Sequence, residues 1–428
     1  MEKGKIGMKH DALVQKAMNR VRLSQNNNIR RVREEGGNYF TDNAPVVDIV
    51  NNIIEEAIAR RASDIHFEPV ADGIRCRLRI DGQLERLYDT IPQDLQDFII
   101  SRIKIMCDMD IAEHRIPQDG RFPYNGEADI RVSVMPLING EKVVMRILND
   151  SRKFISLDKL DFLPENKKKF LQLIHSGFGA VIIAGPVNSG KTTTLYATIK
   201  ELASGKENIV TIEDPVEYQM EGINQLQVNN KTGLTFAEGL RASLRQDSDL
   251  IMLGEIRDEE TAGIAIRAAL TGHLLFTTLH TPTTAEGIFR LLDMGIKGYM
   301  IAASVKGIVA QRLVRRLCVN CRKRITIKAD SFEGKIWREL LKEDMTGYEA
   351  RGCELCNNTG FSGRVPIHEV MIMTDALTRE LKRENVDFQS LKREIYSENK
   401  SGLWQDGLEK VRLGLTDLTE LQRVLGVY

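Results

Sequence analysis

The pattern of apolar and polar positions predicts that a small α+β domain comes first in the chain. Apolar residues recur at helical spacing over residues 46–58, which predicts an amphipathic helix. From Ile74 to Ile80 they alternate with arginines, which predicts a strand with one apolar and one basic face. Asp81-Gly82 then predicts a hairpin turn. Later patterns predict one helix and two strands, at residues 95–106, 128–134 and 143–148.

Further along the chain, the pattern changes to short buried strands that alternate with helices. Such alternation is typical of a three-layer α/β core around a mainly parallel sheet. Strands are predicted at residues 180–184, 210–218, 249–258 and 271–281. The expected division is a basic arm at 1–40, the α+β domain at 41–150, a linker at 151–163, the α/β core at 164–311, a cysteine-bearing module at 312–370 and a helical region at 371–428.

Composition and charge are those of an ordinary globular protein. The 428 residues include 60 Lys plus Arg and 60 Asp plus Glu, so the formal net charge is zero, and 42% are hydrophobic. A neutral chain has no general attraction to nucleic acid or anionic lipid. No run approaches the roughly 20 apolar residues that a membrane span needs, and no apolar stretch follows the charged N-terminus. We therefore expect a cytoplasmic protein.

A phosphate-binding loop is predicted between the strand at 180–184 and the helix that follows it. The motif G-x-x-x-x-G-K-[ST] is formed by Gly185, Pro186, Val187, Asn188, Ser189, Gly190, Lys191 and Thr192. Backbone N–H groups of such a loop form an anion nest at a helix N-terminus. The lysine reaches the β- and γ-phosphates, and the Thr192 hydroxyl ligates Mg²⁺. We expect ATP and Mg²⁺ to bind here, with Thr193 also at the phosphates.

Carboxylates and histidines follow the other predicted strands of this domain. Glu213 and Glu255 each stand at the carboxyl end of a strand, where a carboxylate can orient or deprotonate water, or act on the metal shell. The sequence does not separate these two roles. The strand at Glu255 resembles a Walker B strand, although Gly254 stands where aspartate is usual. His273 and His280 bound the third strand, and each is either structural or a sensor of the γ-phosphate and water.

Two Cys-x-x-Cys pairs predict a metal site. The four thiolates of Cys318, Cys321, Cys353 and Cys356 suit a structural, tetrahedral Zn²⁺ ion, with redox-active pairs as the alternative. Cys76 and Cys107 stand alone in apolar patterns, which predicts reduced core thiols. A basic cluster surrounds the first pair: Arg312, Arg315, Arg316, Arg322, Lys323 and Arg324. It has no interleaved aromatic residues on which nucleic-acid bases would stack.

Jointly, these motifs resemble the secretion ATPase family of type II secretion and type IV pilus assembly. The resemblance begins near residue 44 and rests on Ser63–Pro69, Arg115–Arg121, the phosphate loop, Ile212–Glu217, Gly254–Asp258 and His273–Thr281. It implies a RecA-like P-loop ATP hydrolase domain, preceded by a smaller PAS-like α+β domain and carrying a small zinc-binding insertion. It also implies a homo-hexamer that drives pilin or pseudopilin assembly with an inner-membrane platform protein and associated assembly subunits, peripheral at the inner face of the cytoplasmic membrane.

The resemblance further implies that arginines of the first domain sense the phosphates when the domains close. By matching position these are Arg131 and Arg146, for which a structural ion pair is the alternative. Arg364 matches a family arginine near the nucleotide. The resemblance leaves two roles open, phosphate contact or an interface, for four further arginines: Arg121, Arg241, Arg245 and Arg257.

The resemblance has departures, and rival functions remain. The loop has Asn188 where the family usually has Gly, and Val187 where Thr is common. Many members carry a further N-terminal docking domain, whereas a basic arm precedes residue 41 here. The cysteine module favours assembly or secretion over retraction. The rival readings are a nucleic-acid translocase on the same core and a low-turnover regulatory subunit; we expect no nucleic-acid partner, and membrane contact only through partners.

Overall fold

Two compact units divide the chain, Met1–Lys153 and Phe154–Tyr428. The computed structural model describes residues 44–126, 128–149, 156–328, 344–383, 386–398 and 402–426. The predicted basic arm at 1–40 lies outside the described residues. Within them, no helix is both long enough and apolar enough to span a bilayer.

In the described residues of the first unit, an antiparallel six-stranded sheet packs against two α-helices. Its elements are α1 (Ala44–Ala59), β1 (Asp64–Val70), β2 (Gly73–Ile80), β3 (Gln83–Pro92), α2 (Gln96–Met106), β4 (Gln118–Tyr124), β5 (Ala128–Leu137) and β6 (Gly140–Asn149). The strands lie in the order β3-β2-β1-β6-β5-β4. Ile53, Phe67 and Ile103 are fully buried between helices and sheet. The predicted hairpin is confirmed: Asp81 and Gly82 both have positive φ, as a type I′ turn requires.

A mixed seven-stranded sheet forms the centre of the second unit. The elements before and within it are α3 (Pro164–Ile174), β7 (Gly179–Ala184), α4 (Lys191–Leu202), β8 (Ile209–Glu213), β9 (Asn224–Gln227), α5 (Phe236–Ser243), β10 (Leu250–Leu253), α6 (Glu259–Leu270), β11 (Leu274–Leu279), α7 (Thr284–Asp293), α8 (Gly298–Ser304) and β12 (Val305–Leu317). After these come β13 (Lys323–Ile327), β14 (Met345–Glu349), β15 (Phe361–Ile372), α9 (Asp375–Leu381), α10 (Phe388–Glu398), α11 (Leu403–Arg412) and α12 (Leu418–Leu425).

The order of strands in this sheet is β15-β12-β7-β11-β10-β8-β9. All neighbours are parallel except β15, which runs antiparallel to β12. Helices cover both faces, which explains why β7 reads as a continuous apolar run: Ile182 packs into the core on one face and Ile183 into the core on the other. The predicted α/β class, with a smaller α+β domain before it, is confirmed.

Parallel strands bring their carboxyl ends to one edge of the sheet. Ala184 pairs with Leu279, and Leu253 pairs with both Thr277 and Ile212. The residues that follow β7, β8, β10 and β11 therefore meet at this edge, where open α/β sheets bind their ligands.

The cysteine-bearing excursion is shorter than the predicted module at 312–370. Both predicted boundaries fall inside strands of the sheet, since β12 runs through residue 312 and β15 extends to Ile372. Val314 pairs with Val365, and both are fully buried. The arginines that mark the start of the predicted module thus lie on a long strand, next to its buried residues Val314 and Leu317. The excursion itself lies between Leu317 and Phe361.

Candidate active site

The phosphate loop joins β7 to the N-terminus of α4. Lys191, the first residue of this helix, donates from Nζ to the carbonyl oxygens of Gly185 and Pro186, each at 2.8 Å. Burial lowers the pKa of Lys191 to about 8, and the charges of Glu255 and Arg312 act on it in opposite directions. The lysine is therefore held inside the curve of the loop, close to one acid and one further base.

The backbone of the loop accounts for two of its residues. A Cβ atom on Gly185 would lie 2.4 Å from Ser189 Oγ and 2.6 Å from the Gln311 carbonyl oxygen, so only glycine fits. Asn188 has φ of 64°, in the left-handed region. Asparagine tolerates this region better than most residues. The departure from glycine at this position thus preserves the loop conformation. Four loop and helix residues predicted to bind ligand, besides Asn188, are exposed: Pro186, Val187, Thr192 and Thr193.

Gln311, on the neighbouring strand β12, is a positioning residue that the sequence analysis missed. Its Nε2 donates to the Ser189 carbonyl oxygen at 2.8 Å, and its Oε1 accepts from Thr194 Oγ1 at 2.8 Å. It is buried, with 2% exposure. One amide therefore ties the loop to both the strand beside it and the helix after it. The available signal was a polar residue directly after the apolar run Ile308–Ala310.

Glu255 and His280, predicted from separate motifs, contact each other at the edge of the sheet. His280 Nε2 lies 2.9 Å from Glu255 Oε2. On its other side, Glu255 Oε1 accepts from Arg257 Nε at 2.8 Å. Burial raises the pKa of Glu255, but the bonds from Arg257 and His280 outweigh burial and lower it. Glu255 is therefore ionised at neutral pH and lies between the side chains of Arg257 and His280. It is also close enough to Lys191 to affect the pKa of the lysine.

Glu213 has a different environment from Glu255. It is buried, and its carboxylate accepts from three side chains: the Tyr196 hydroxyl, Thr211 Oγ1 at 2.6 Å and Gln225 Nε2 at 3.1 Å. Burial and the charge of Glu213 raise the pKa of Tyr196, which keeps the phenol protonated as a donor. Glu213 thus holds β8, β9 and α4 together, whereas Glu255 faces the exposed edge.

His273 lies at the opposite end of β11 from His280. Its Nδ1 is 3.2 Å from the carbonyl oxygen of Ala268, at the end of α6. Because β11 is parallel to β7, this end is remote from the phosphate loop by the length of the strand. Of the two roles that the sequence left open for His273, this position fits the structural role and not that of a phosphate sensor.

A row of arginines crosses the sheet of the first unit. Arg121 pairs with Arg131, and Arg131 pairs with Arg146, so the three lie side by side on β4, β5 and β6. Arg146 Nε donates to Asp64 Oδ1 on the next strand at 3.1 Å. A cavity of about 490 Å³ is lined by all three arginines. Like charges directly opposite one another are unfavourable, so this row suits an anion.

The other predicted arginines lie in the second unit. Arg241 forms an ion pair with Glu260, and Arg245 donates to the Arg241 carbonyl oxygen at 2.8 Å. Arg364 lies on β15 in register with Arg315, four residues beyond Gln311 along β12. None of these three is part of the Glu255–His280 contact.

The four cysteines of the excursion come together in one cluster. Their Sγ atoms all lie within 4.8 Å of one another, with separations of 3.9 Å for Cys318–Cys353, 3.8 Å for Cys321–Cys356 and 3.7 Å for Cys353–Cys356. A tetrahedral zinc ion with Zn–S bonds of about 2.3 Å needs S···S separations of about 3.8 Å. The backbone N–H of Gly360 donates to Cys356 Sγ at 3.2 Å. The donor set and spacing therefore fit Zn²⁺.

The isolated cysteines are core thiols, as predicted. Cys76 and Cys107 are buried and reduced. Burial raises the pKa of Cys107 to about 11 and that of Cys76 further, so both remain protonated and unreactive at neutral pH.

Much of the basic cluster near the cysteines is engaged within the unit. Arg315 forms an ion pair with Glu420 and lies 3.9 Å from the centre of the Phe361 ring. Arg322 lies 4.8 Å from the centre of the Tyr348 ring, and Arg316 is paired with Asp161. Arg315 thus ties β12 to α12, Arg322 packs against β14 of the excursion, and Arg316 ties β12 to the segment before α3.

Comparison with known proteins places this chain in a family. Residues 40–423 match the family model described as type II/IV secretion system protein. The chain is 44% identical over 386 residues to the type II secretion system ATPase E of Vibrio cholerae, covering 90% of this chain and 76% of that protein. It is 45% identical over 389 residues to the type IV pilus assembly ATPase PilB of Myxococcus xanthus, covering 89% of this chain and 68% of that protein.

Solved structures agree with this placement. The pilus retraction motor PilT with bound ADP has a TM-score of 0.60 and 26% identity, covering 87% of this chain and 95% of that one. The ATPase DotB of Legionella pneumophila has a TM-score of 0.64 at 22% identity, covering 91% of this chain and 97% of that one, and supports the fold alone.

Proposed function

This chain belongs to the type II/IV secretion system protein family and is an ATP-hydrolysing enzyme, and we propose that it works as a hexameric, Mg²⁺-dependent motor for pilin or pseudopilin assembly. Its relatives are ATPases of type II secretion and type IV pilus assembly. The observation that carries the proposal is the contact between Glu255 and His280 beside the phosphate-loop lysine.

The residues of the second unit supply binding and water activation. The backbone of the phosphate loop and Lys191 hold the β- and γ-phosphates. Thr192 is the side chain that would hold Mg²⁺, whose charge neutralises the phosphate oxygens. Glu255 accepts the proton of the attacking water, and His280 orients that carboxylate. Glu213, with three donors on its oxygens, supports the site from within the core.

The arginines of the first unit give the proposed motor its dependence on domain closure. Arg131 and Arg146 stabilise the negative charge that develops on the transferred phosphoryl group, as arginine fingers do. The row in which they lie supports this role, because three like charges side by side favour an anionic partner. Arg364 lies near the nucleotide in the same proposal.

The proposed setting follows the family. The hexamer acts at the inner face of the cytoplasmic membrane on an inner-membrane platform protein and associated assembly subunits, without contacting nucleic acid. The tetracysteine site holds a structural Zn²⁺ ion, which orders the excursion between β12 and β15 and takes no part in hydrolysis.

The test is phosphate release by the purified full chain with ATP and Mg²⁺, with and without single-stranded DNA. We expect Glu255→Gln to lower kcat by about 10²–10⁴-fold, to leave binding of a fluorescent ADP analogue intact, and DNA to leave the rate unchanged. Glu201→Gln, on the exposed side of α4, is the matched control.

Other outcomes point to other functions. Hydrolysis that DNA stimulates, with a steep dependence on salt, would favour the translocase. A wild-type chain that binds ATP and releases no phosphate would favour the regulatory subunit. Loss of turnover in Glu213→Gln, with Glu255→Gln unaffected, would exchange the roles of the two acids.

A further inference from the structure

The segment 281–284, which directly follows His280, is held by two neighbouring strands. Arg312 on β12 donates from Nη2 to the Pro282 carbonyl oxygen at 2.7 Å, and from Nη1 to the Gln311 carbonyl oxygen at 3.0 Å. Its guanidinium is therefore fixed at two points, one on its own strand and one on segment 281–284.

Glu369 on β15 holds the other end of the same segment. It is 2% exposed, and its Oε1 accepts from the backbone N–H of Thr284 at 3.0 Å and from the Thr284 hydroxyl. Thr284 is the first residue of α7, so a buried carboxylate meets the positive end of a helix. In the sheet, Glu369 pairs with Ala310, two residues from Arg312. The two side chains thus hold this segment at Pro282 and at Thr284, two residues apart.

Charge links this pair to the nucleotide loop. Arg312 attracts both Glu369 and Glu286, and its charge also acts on Lys191. The second oxygen of Glu369 accepts from the Tyr396 hydroxyl at 3.5 Å, which extends the connection to α10. Among the described residues, no hydrogen bond or ion pair joins Arg312 or Glu369 to Glu255 or His280, so their effect on that contact passes through the backbone of segment 281–284.

We propose that Arg312 and Glu369 form a clamp on segment 281–284 that positions His280 against Glu255, and that both are positioning residues for ATP hydrolysis. The inference rests on the proposed role of Glu255 and His280. His280 is exposed and stands just after the end of β11. Its backbone is fixed by the strand on one side and by the clamp on the other. Without the clamp, only β11 would fix the backbone of His280. Its Nε2 atom would then be held less firmly at 2.9 Å from Glu255 Oε2.

The test is a double-mutant cycle between the clamp and His280, with steady-state ATP hydrolysis by the full chain. We expect Arg312→Gln to lower kcat by about 10–100-fold, as misplacement of a catalytic group does, while KM for ATP changes less than about twofold. Arg312→Lys keeps the charge but not the two-point geometry, so it should restore little activity. Arg290→Gln, on the exposed face of α7, is the matched control.

The cycle separates positioning from general damage. If Arg312 acts through His280, then His280→Ala combined with Arg312→Gln should be no slower than the slower single variant. If the losses of kcat in the two single variants multiply in the double variant, the clamp is overturned and the proposed function still stands. A rise in KM that accounts for the whole loss would overturn it too, since Arg312 would then be a binding residue.

A second variant provides a test that does not depend on whether the Arg312 variants fold correctly. Glu369→Gln retains the shape of the side chain, and we expect the same non-additivity with His280→Ala. The melting temperature and binding of a fluorescent ADP analogue are measured for each variant, so that unfolded protein is not scored as slow. An unaffected rate in His280→Ala alone would overturn both the clamp and the proposed role of His280.

Discussion

At the scale of single residues, the site depends on how burial and neighbouring charges set each titratable group. Lys191 lies among loop carbonyls, and burial lowers its pKa to about 8. Glu255 is also partly buried, but Arg257 and His280 keep its pKa below the usual value. At neutral pH the lysine is therefore mainly charged and the acid ionised, which suits phosphate binding beside an acceptor for the proton of water.

The lowered pKa of Lys191 predicts a pH dependence of nucleotide binding. In the free protein the charge is lost as pH rises through about 8, so affinity for ADP should fall above that pH. Bound phosphates favour the charged lysine, so the midpoint in the complex lies higher than in the free protein. Titration with a fluorescent ADP analogue from pH 7 to 10 measures this.

Lys191→Met is the control for this titration, because it removes the titrating group while keeping much of its length. It should bind weakly, with little change in affinity over the same pH range. An affinity of the wild type that stays constant to pH 10 would contradict the prediction.

At the scale of elements, parallel strands explain why distant motifs meet. β7, β8, β10 and β11 end at the same edge of the sheet, and the residue types at those ends are the ones with phosphate or acid–base chemistry. The excursion between β12 and β15 is a separate element. Its two-stranded sheet, β13–β14, is too small to be stable alone, which gives a structural metal a clear role.

The tetracysteine cluster predicts a zinc content of about one ion per chain. Cys353→Ser removes one of four ligands and should abolish tight binding. Because metal binding contributes directly to folding in such sites, it should also lower the melting temperature and open the excursion to proteolysis between Leu317 and Phe361. Elemental analysis and limited proteolysis of the purified chain measure the two effects.

Cys107→Ser changes a thiol outside the cluster and should retain the zinc. A wild-type chain without zinc, or a Cys353→Ser chain that binds it fully, would contradict a structural site and return attention to redox-active pairs.

At the scale of the whole molecule, each unit carries its own charged site. The second unit has the phosphate loop and the acids, and the first has the arginine row. In the proposed motor, nucleotide binding belongs to one unit and transition-state stabilisation to both. A division of this kind makes chemistry depend on domain closure, which is a common gate on turnover.

This division predicts that Arg131→Gln and Arg146→Gln separate binding from turnover. Each should lower kcat by about 10³-fold, the lower end of the range for arginine fingers, with ADP affinity within a few-fold of wild type. Arg115→Gln is a suitable control, since Arg115 in the same unit is exposed and paired with Glu113. If the two arginines are structural instead, as the ion pair of Arg146 with Asp64 would allow, the variants should have a lower melting temperature and an unchanged kcat.

Local sequence determined the chemistry of this protein, because the phosphate loop, the strand-end acids and the Cys-x-x-Cys pairs depend on residues close together along the chain. Alternation of strands and helices was likewise enough for the α/β class, and the hairpin at Asp81-Gly82 followed from two residues.

Tertiary structure alone decided which of these residues meet. The Glu255–His280 contact spans 25 positions, the Gln311–Ser189 bond spans 122, and the Thr284–Glu369 bond spans 85. No local pattern encodes such partners, since each depends on which strands are neighbours in the sheet. For the same reason, β12 and β15 cross the predicted module boundaries. β12 pairs with both β7 and β15, and this pairing holds residues in the core that the arginine-rich sequence alone assigned to the module.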